Sequence, residues 1–427
     1  MTTNGHARED TIALVGGGIG GLCAAIGFIN KGIPIHVYEA APAFAEIGAG
    51  VSLGPNTYDA LKRISPATTT AFERTVTYNG TEEYKKSYFV FRNAEDKSTK
   101  VGSPIIDLKS TTGATSVHRA QLLDELIKFV PDEISSFGKR LDNITDNTDH
   151  VLLHFKDGTT ARHSAVICCD GIKSRGRQIL LGETHPAANA VFSGKYAYRG
   201  LIPMDEAAQL LGDEIARNAQ MFFGHGGHIL TFPVEQGRTM NVVAFGTAKE
   251  WTDERWVKEV TREEMQRDFG ENWVDAARHV IELMRKPDVW ALFEFPDAPT
   301  YTKGLVCLLG DAAHASTPHQ GAGAGMAIED ALVMSSLFEG VERTPEGIKA
   351  VFEVNDEVRR PRTQRVVKTS REAGLCYDFM LDGVGDDLEK VRRDLEKRWE
   401  WIWYEDLGRH VEDAKELLRK RQGVAKA

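Results

Sequence analysis

Six residues near the N-terminus pose the first chemical question. Gly16-Gly17-Gly18-Ile19-Gly20-Gly21 matches G-x-G-x-x-G at 16, 18 and 21, between the apolar run Thr11-Ile-Ala-Leu-Val15 and an Ala-rich stretch of helical spacing at 19–31. In that setting Gly16 serves a tight turn, Gly18 lets backbone approach a pyrophosphate, and Gly21 lets helix and strand pack closely. The helix N-terminus adds unpaired N–H groups and the positive end of its dipole. Ile33-Pro-Ile-His-Val-Tyr38 reads as the second strand, and Glu39 at its end is placed to accept from ribose hydroxyls. An acid there favours an unphosphorylated ribose, so FAD or NAD over NADP. A purely structural glycine turn leaves five glycines in six positions without a reason.

Two Asp residues stand at later strand ends. Asp170-Gly171 closes Val-Ile-Cys-Cys and precedes Ser174 and Arg177, and Gly310-Asp311 closes Leu305-Val-Cys-Leu-Leu309 before a Gly/Ala-rich helix. An Asp so placed can bind polyol hydroxyls, while the small residues after it let a helix N-terminus approach a planar ring. Taken singly, each is equally a helix N-cap. His319 in Pro318-His-Gln-Gly and His228 in His-Ile-Leu-Thr-Phe-Pro are candidates for taking a proton, because imidazole titrates near working pH. Arg199 in Tyr198-Arg-Gly-Leu-Ile-Pro203 is a candidate for holding an anion bidentately. On the residues alone, each His is as readily structural, and Arg199 is as readily half of a surface ion pair. His314, nearer a helix start, reads as packing or capping.

The elements that must carry these residues follow from periodicity. Residues 11–40 read as a βαβ unit, 47–54 as a tight loop, and His118 to Val130 as a helix with Leu122, Leu123, Leu126 and Ile127 on one face. Residues 151–156 and 165–169 read as strands of a hairpin about Asp157-Gly158. From 186 to 295 short alternating strands appear, interrupted by a charged helical stretch near 249–286. The chain then returns to the nucleotide-binding part at 305 and ends in a charged helical tail. There Trp399, Trp401 and Trp403 read as packing on the body, and Arg359, Arg360, Arg362 and Arg365 as a solvated helix face.

Composition narrows the function classes. The 427 residues exceed the size at which one core stops growing, so two packed domains are expected. The chain carries 62 acidic against 52 basic residues, a net charge of −10, which speaks against a nucleic-acid partner. No apolar run reaches the roughly 18 residues of a membrane span. The polar start MTTNGHARED has no secretory h-region, so a cytoplasmic location is expected. The five cysteines fit neither a disulfide framework nor a metal site, and no metal is expected.

The motifs in this order resemble the three-motif signature of the class A FAD-dependent aromatic hydroxylases. More narrowly, Gly310-Asp-Ala-Ala-His-Ala-Ser-Thr-Pro-His-Gln-Gly-Ala-Gly-Ala-Gly325 and Glu46-Ile-Gly-Ala-Gly-Val-Ser-Leu-Gly-Pro-Asn56 resemble the salicylate hydroxylase branch, and the likeness runs through nearly the whole chain. The resemblance implies an α/β fold: a GR2-type Rossmann-like FAD-binding domain (10–80 with 100–185 and 300–365), an inserted β-sheet substrate domain (186–299 with part of 81–99), and a helical C-terminal region (366–427). It implies that Gly16, Gly18, Gly21 and Glu39 hold the adenosine half of FAD, with Gly50 in the second motif and Arg119 at the cofactor's middle. Asp311 would bind the ribityl and pyrophosphate region. Gly321, Ala322, Gly323 and Ala324 would lie under the isoalloxazine, and Asp170 would serve both FAD and the nicotinamide donor.

The implied reaction is hydroxylation of a salicylate-like phenol with dioxygen and NADH or NADPH, which docks transiently. It is decarboxylative in the salicylate case, with His319 or His228 favouring the phenolate and Arg199 holding the anionic group. A non-decarboxylating phenol hydroxylase of secondary metabolism shares these motifs. A flavoprotein that does not hydroxylate, a dehydrogenase or a regulatory FAD-binding protein, is the rival of another class. Some relatives carry Tyr where this chain has Phe232, and Phe cannot form the phenolic hydrogen bond. Substrate orientation must then rest on other groups. Monomer and homodimer both remain open.

Overall fold

A computed structural model of the protein describes residues 10–43, 50–285 and 288–425. Its nucleotide-side sheet has six strands in the order Thr302–Lys303, Val306–Leu308, Ala165–Cys168, Ile12–Val15, Ile35–Tyr38 and Ser135–Ser136. All neighbours are parallel except the first pair. The central strands are apolar and buried at every position, which is why they read as continuous runs without alternation. The helix Ile19–Asn30 crosses the helix Gly323–Leu337 at small residues: a Cβ on Gly20 would lie 3.1 Å from the Cβ of Ala327, and one on Gly27 2.7 Å from Ser335 Oγ. The first and third motifs are thereby locked side by side.

The second sheet has eight strands, ordered Val257–Glu259, Asp288–Glu294, Val191–Pro203, Thr239–Thr247, Gly227–Val234, Gln220–Gly224, Ser87–Asn93 and Ser103–Lys109. One face packs on the helices Arg262–Asp268 and Asp275–Leu283 through Phe269, Trp273, Val280 and their neighbours. The opposite face, with Phe89, Phe223, Phe232 and Phe245, turns towards the nucleotide part and the tail. A boundary drawn at residue 100 separates Ser87–Asn93 from its antiparallel neighbour Ser103–Lys109. One drawn at 365 falls inside the 33-residue helix Pro345–Tyr377.

Three local expectations are corrected. Val151–Phe155 forms its hairpin with Thr160–His163, whereas Ala165–Cys168 is a parallel strand beside Ile12–Val15. A fully buried Ala-Val-Ile-Cys run suits a sheet centre, not a half-exposed hairpin arm. Of the loop expected at 47–54, residues 47–49 lie outside the described residues, as do 46–49 of the Glu46–Asn56 motif. Gly50–Leu53 is a strand paired with Thr115–His118. The arginine face is solvated only in part: Arg365 is exposed and Arg360 half-buried, but Arg359 is 1% and Arg362 8% exposed at the side chain, both against carboxylates of the helix Gly323–Leu337. All five cysteines are free, and four are buried.

Candidate active site

The cradle begins at Gly16, whose φ of +112° suits glycine and whose Cβ would lie 2.3 Å from the carbonyl oxygen of Cys169. A Cβ on Gly21 would lie 2.0 Å from the carbonyl oxygen of Gly16, whereas one on Gly18 meets no atom within 4 Å. The first and third glycines are thus demanded by close packing of the chain on itself, and the second opens onto free space at the helix N-terminus. Glu39 accepts from the backbone N–H of Gly17 and of Ala41, each at 2.7 Å, so its carboxylate is fastened to the turn it serves. Gly21→Ala is therefore expected to cost about 1–3 kcal/mol of stability by overpacking and to abolish flavin retention. Gly18→Ala should leave the melting temperature unchanged while weakening flavin binding. Absorbance of the purified protein and thermal unfolding separate the two.

From this turn a cavity of about 310 Å³ runs past Gly18, Gly21, Arg119, Gly310 and Asp311 to Gly321, Ala322, Gly323 and Ala324, and on to the eight-stranded sheet. Gly50 and Arg199 line it too, with Cys169 and Gly171. The open cradle, the run of small residues and the helix N-terminus fit a dinucleotide laid along this wall, with a planar ring over 321–324. Asp170 stands just behind the wall. Its Oδ1 accepts from Ser174 Oγ and its Oδ2 from the Gly176 N–H at 3.0 Å. Burial pushes its carboxyl above the usual range, against those hydrogen bonds. Arg177 is buried and donates to the carbonyl oxygens of Ala187, Ala313 and Pro296, stitching the turn to the Asp311–His314 segment.

Beneath the third motif lies a buried ionic cluster that sequence reasoning missed. Asp330 accepts from the Gly310 N–H at 3.1 Å and from Arg359 Nε at 2.7 Å, and its Oδ2 lies 2.6 Å from His314 Nε2. Glu329 pairs with Arg359 at 2.9 Å and Arg362 at 2.8 Å, and accepts from Asn56 Nδ2 at 2.8 Å. Burial opposes ionisation of Asp330, but His314 and Arg359 overcome it and hold its carboxyl below the usual range. Two anions and two cations fix the Gly310 turn, the small-residue helix and the second motif as one unit. The signal was present as Glu-Asp at one spacing and Arg-x-x-Arg at another, but nothing in the sequence joins them.

On the substrate sheet, register sets the wall. Arg199, Val243, Leu230 and Met221 form one cross-strand row, and Ala197, Phe245, His228 and Phe223 form the next. The side chains of a row point to one face. Arg199 stacks its guanidinium over Trp290 at 4.4 Å, and its Nε has no hydrogen-bond partner among the described residues. Burial, then the like charge of Arg119, lowers its pKa to about 10, so it stays a cation. Phe232 closes the wall by packing under Gly50, whose Cβ would lie 2.6 Å from the ring. The Gly50 N–H donates to Asn241 Oδ1 at 3.1 Å.

His319 lines the cavity, 2% exposed, and neither ring nitrogen has a hydrogen-bond partner among the described residues. Gly374 makes room for the ring, since a Cβ there would lie 2.5 Å from its Cδ2. Burial, then His228 and Lys195, pushes its pKa well below the ordinary value, so it is a neutral acceptor. His228 is fully buried behind it and does not reach the cavity wall. Two further wall residues were not anticipated in this role. Tyr88 Oη and Trp399 Nε1 both donate to the carbonyl oxygen of Gln320, at 3.3 and 3.0 Å, so the tail helps build the cavity as well as packing on the body.

A family model described as "FAD binding domain" matches residues 9–370. The chain is 44% identical over 416 residues to a 6-methylsalicylate 1-monooxygenase of Aspergillus terreus, covering 96% of this chain and 92% of that one. It is 38% identical over 420 residues to a salicylate hydroxylase of Pseudomonas putida, covering 95% and 94%. Among solved structures, a salicylate hydroxylase substrate complex superposes with a TM-score of 0.83 at 35% identity, covering 95% of this chain and 98% of that one.

Proposed function

The chain belongs to the FAD binding domain family and is an FAD-dependent aromatic hydroxylase; from that premise we propose that its substrate is a salicylate-like phenol and that hydroxylation releases the carboxylate as carbon dioxide. The observation that carries this reading is the placing of a neutral, unpartnered imidazole, His319, and a half-buried cation, Arg199, on the wall of one apolar cavity. A phenol needs an acceptor for its proton, and a carboxylate needs a cation that will not deprotonate.

Gly16, Gly18, Gly21, Glu39, Gly50, Arg119, Asp170, Asp311 and 321–324 would hold FAD, which when bound supplies the reduction of dioxygen and transfer of one oxygen atom to carbon. NADH or NADPH is the reductant. His319 accepts the phenolic proton and makes the ring electron-rich, with His228 as the group behind it. Arg199 orients the carboxylate. Met221, Leu230, Val243, Phe232 and Phe245 exclude water, which strengthens both polar contacts. Each turn consumes one reductant, one dioxygen and two protons. One oxygen atom enters the ring, the other leaves as water, and the carboxylate departs as carbon dioxide. Among the described residues no helix is long and apolar enough to cross a membrane. A cytoplasmic monomer or homodimer belongs to the same proposal.

The test follows NADH and NADPH oxidation with salicylate while trapping carbon dioxide and identifying the aromatic product. Catechol with stoichiometric carbon dioxide supports the proposal. Hydroxylation with the carboxylate retained assigns the chain to non-decarboxylating phenol hydroxylases, and no turnover of any phenol in a broad panel overturns the substrate class. Arg199→Met is expected to raise the salicylate Kd by about 10- to 150-fold, the loss of one charged hydrogen-bonding partner at 1.5–3 kcal/mol. A phenol lacking the carboxylate should bind the variant and the wild type alike.

A further inference from the structure

A line of polar groups continues behind the cavity wall. The ring centroids of His319 and His228 are 5.1 Å apart, with their planes at 65°. His228 Nδ1 lies 2.6 Å from Asp378 Oδ1, and its Nε2 has no hydrogen-bond partner among the described residues. Asp378, fully buried at the end of the helix Pro345–Tyr377, accepts through Oδ2 from Lys195 Nζ and, at 3.1 Å, from Thr247 Oγ1. Lys195 is 4% exposed, whereas Thr247 is exposed. Hydrogen bonds therefore lead from His228 through Asp378 to Thr247 at the surface, and on the cavity side the rings of His228 and His319 meet edge to face with no hydrogen bond between them.

A buried Asp–Lys pair behind an apolar sheet face is costly, since the desolvation of two charges commonly outweighs their attraction. Its geometry is suited to a specific task. A carboxylate only accepts, so His228 must carry its proton on Nδ1, which leaves the Nε2 lone pair as its one basic site. Lys195 and Thr247 hold the carboxylate from the other side, so it cannot rotate away. Two further rings pack on His228: Phe245, stacked at 4.3 Å, and Tyr377 at 5.1 Å. The titratable and charged groups facing it are thus Asp378, Lys195, His319 and Tyr377.

We propose that Asp378 and Lys195 are positioning residues that fix the tautomer and basicity of His228, so that a proton taken from the substrate at His319 is passed to His228 Nε2. The proposal rests on the reading of the cavity as a phenol site. The phenolic O–H breaks as an N–H forms on His319. That N–H breaks as one forms on His228 Nε2, and the resulting imidazolium is balanced by the Asp378 carboxylate.

The test uses FAD-loaded wild type, Asp378→Asn, Asp378→Glu and Lys195→Met, with two readouts: the pH profile of kcat/KM and the imidazole ¹⁵N resonances of His228. Burial lowers the proton affinity of His228, Asp378 raises it against that, and Lys195 lowers it further. Activity needs the unprotonated base, so the ascending limb follows that affinity. Asp378→Asn is expected to move the limb about one pH unit or more to lower pH and to reduce kcat/KM about 100-fold or more, because an amide can donate to Nδ1 and turn the tautomer. Lys195→Met should move the limb to higher pH, and Asp378→Glu should restore it. Opposite shifts from two neighbours would not follow from loosened packing. If both variants keep the wild-type limb and the wild-type His228 resonances, the proposal is overturned. If no phenol is turned over, the substrate reading fails by itself. The resonances then decide the matter: an Nδ1–H tautomer lost in Asp378→Asn supports the proposal, and an unchanged tautomer overturns it.

Discussion

His319→Ala is expected to lower kcat/KM for the phenolic substrate by about 10²- to 10⁴-fold, the range of a positioned proton acceptor, while FAD stays bound. The residue stands on the cavity wall with both nitrogens unpartnered, and burial keeps it neutral. Its loss removes the acceptor without touching the glycine cradle. Stability should barely move, because an unsatisfied buried imidazole already costs about 1–3 kcal/mol, which offsets the packing lost on truncation. Reductant oxidation should continue in the variant with hydrogen peroxide released in place of hydroxylated product. Rapid-quench product analysis beside oxygen-electrode traces measures that split. A His319→Ala enzyme with wild-type product yield would remove His319 from the chemistry and leave the phenol to another group.

The second large effect falls on stability. Arg359→Met leaves Glu329 and Asp330 buried with one cation fewer, and breaking such a cluster costs about 3–5 kcal/mol. Arg359→Lys should recover only part of this, since an ammonium cannot bridge two carboxylates as the planar fork does. FAD should be lost in the same transition, because Asp330 holds the Gly310 turn. The pH dependence has a definite sign. In the wild type the depressed carboxyl of Asp330 contributes stability above its unfolded pKa of about 3.9, lost as pH falls through the folded value. Without Arg359, burial is opposed by His314 alone and the folded pKa rises above that of the wild type. The deficit of the variant is then fully present near neutrality and narrows as pH falls through the variant's folded value. Thermal unfolding followed by flavin fluorescence at several pH values measures both the size and the slope.

The strands and helices that carry the motifs were legible because each has a local cause. Gly21 is demanded by a backbone contact within a short segment, Gly16 by its positive φ as well as by the distant Cys169, and Ile12–Val15 and Ala165–Cys168 are apolar at every position. The pairing of Ala165–Cys168 was misjudged because an Asp-Gly turn and two apolar runs satisfy the hairpin pattern locally, and only the distant Ile12–Val15 and Val306–Leu308 settle where the second run goes. The arginine face was misread for a related reason. Four arginines on one helix look solvated until Glu329 and Asp330, on another helix, come to meet two of them. Around the cavity, residue type pointed to His319 and Arg199, but Asp378, Lys195, Tyr88 and Trp399 enter through tertiary contacts that no spacing encodes.

The order of strands in the nucleotide-side sheet also has a consequence for synthesis. Ala165–Cys168 acquires its outer parallel neighbour only when Val306–Leu308 has been made, after the whole run from Val191 to Glu294 that forms most of the other sheet. At ordinary translation rates of about 5–20 residues per second, that edge stays open on the ribosome for on the order of ten to thirty seconds. During this interval an apolar strand offers unpaired N–H and C=O groups to any neighbouring nascent chain. Yield in a cell should therefore respond to chaperone supply and to growth temperature during expression, through an exposure that ends before the mature enzyme exists.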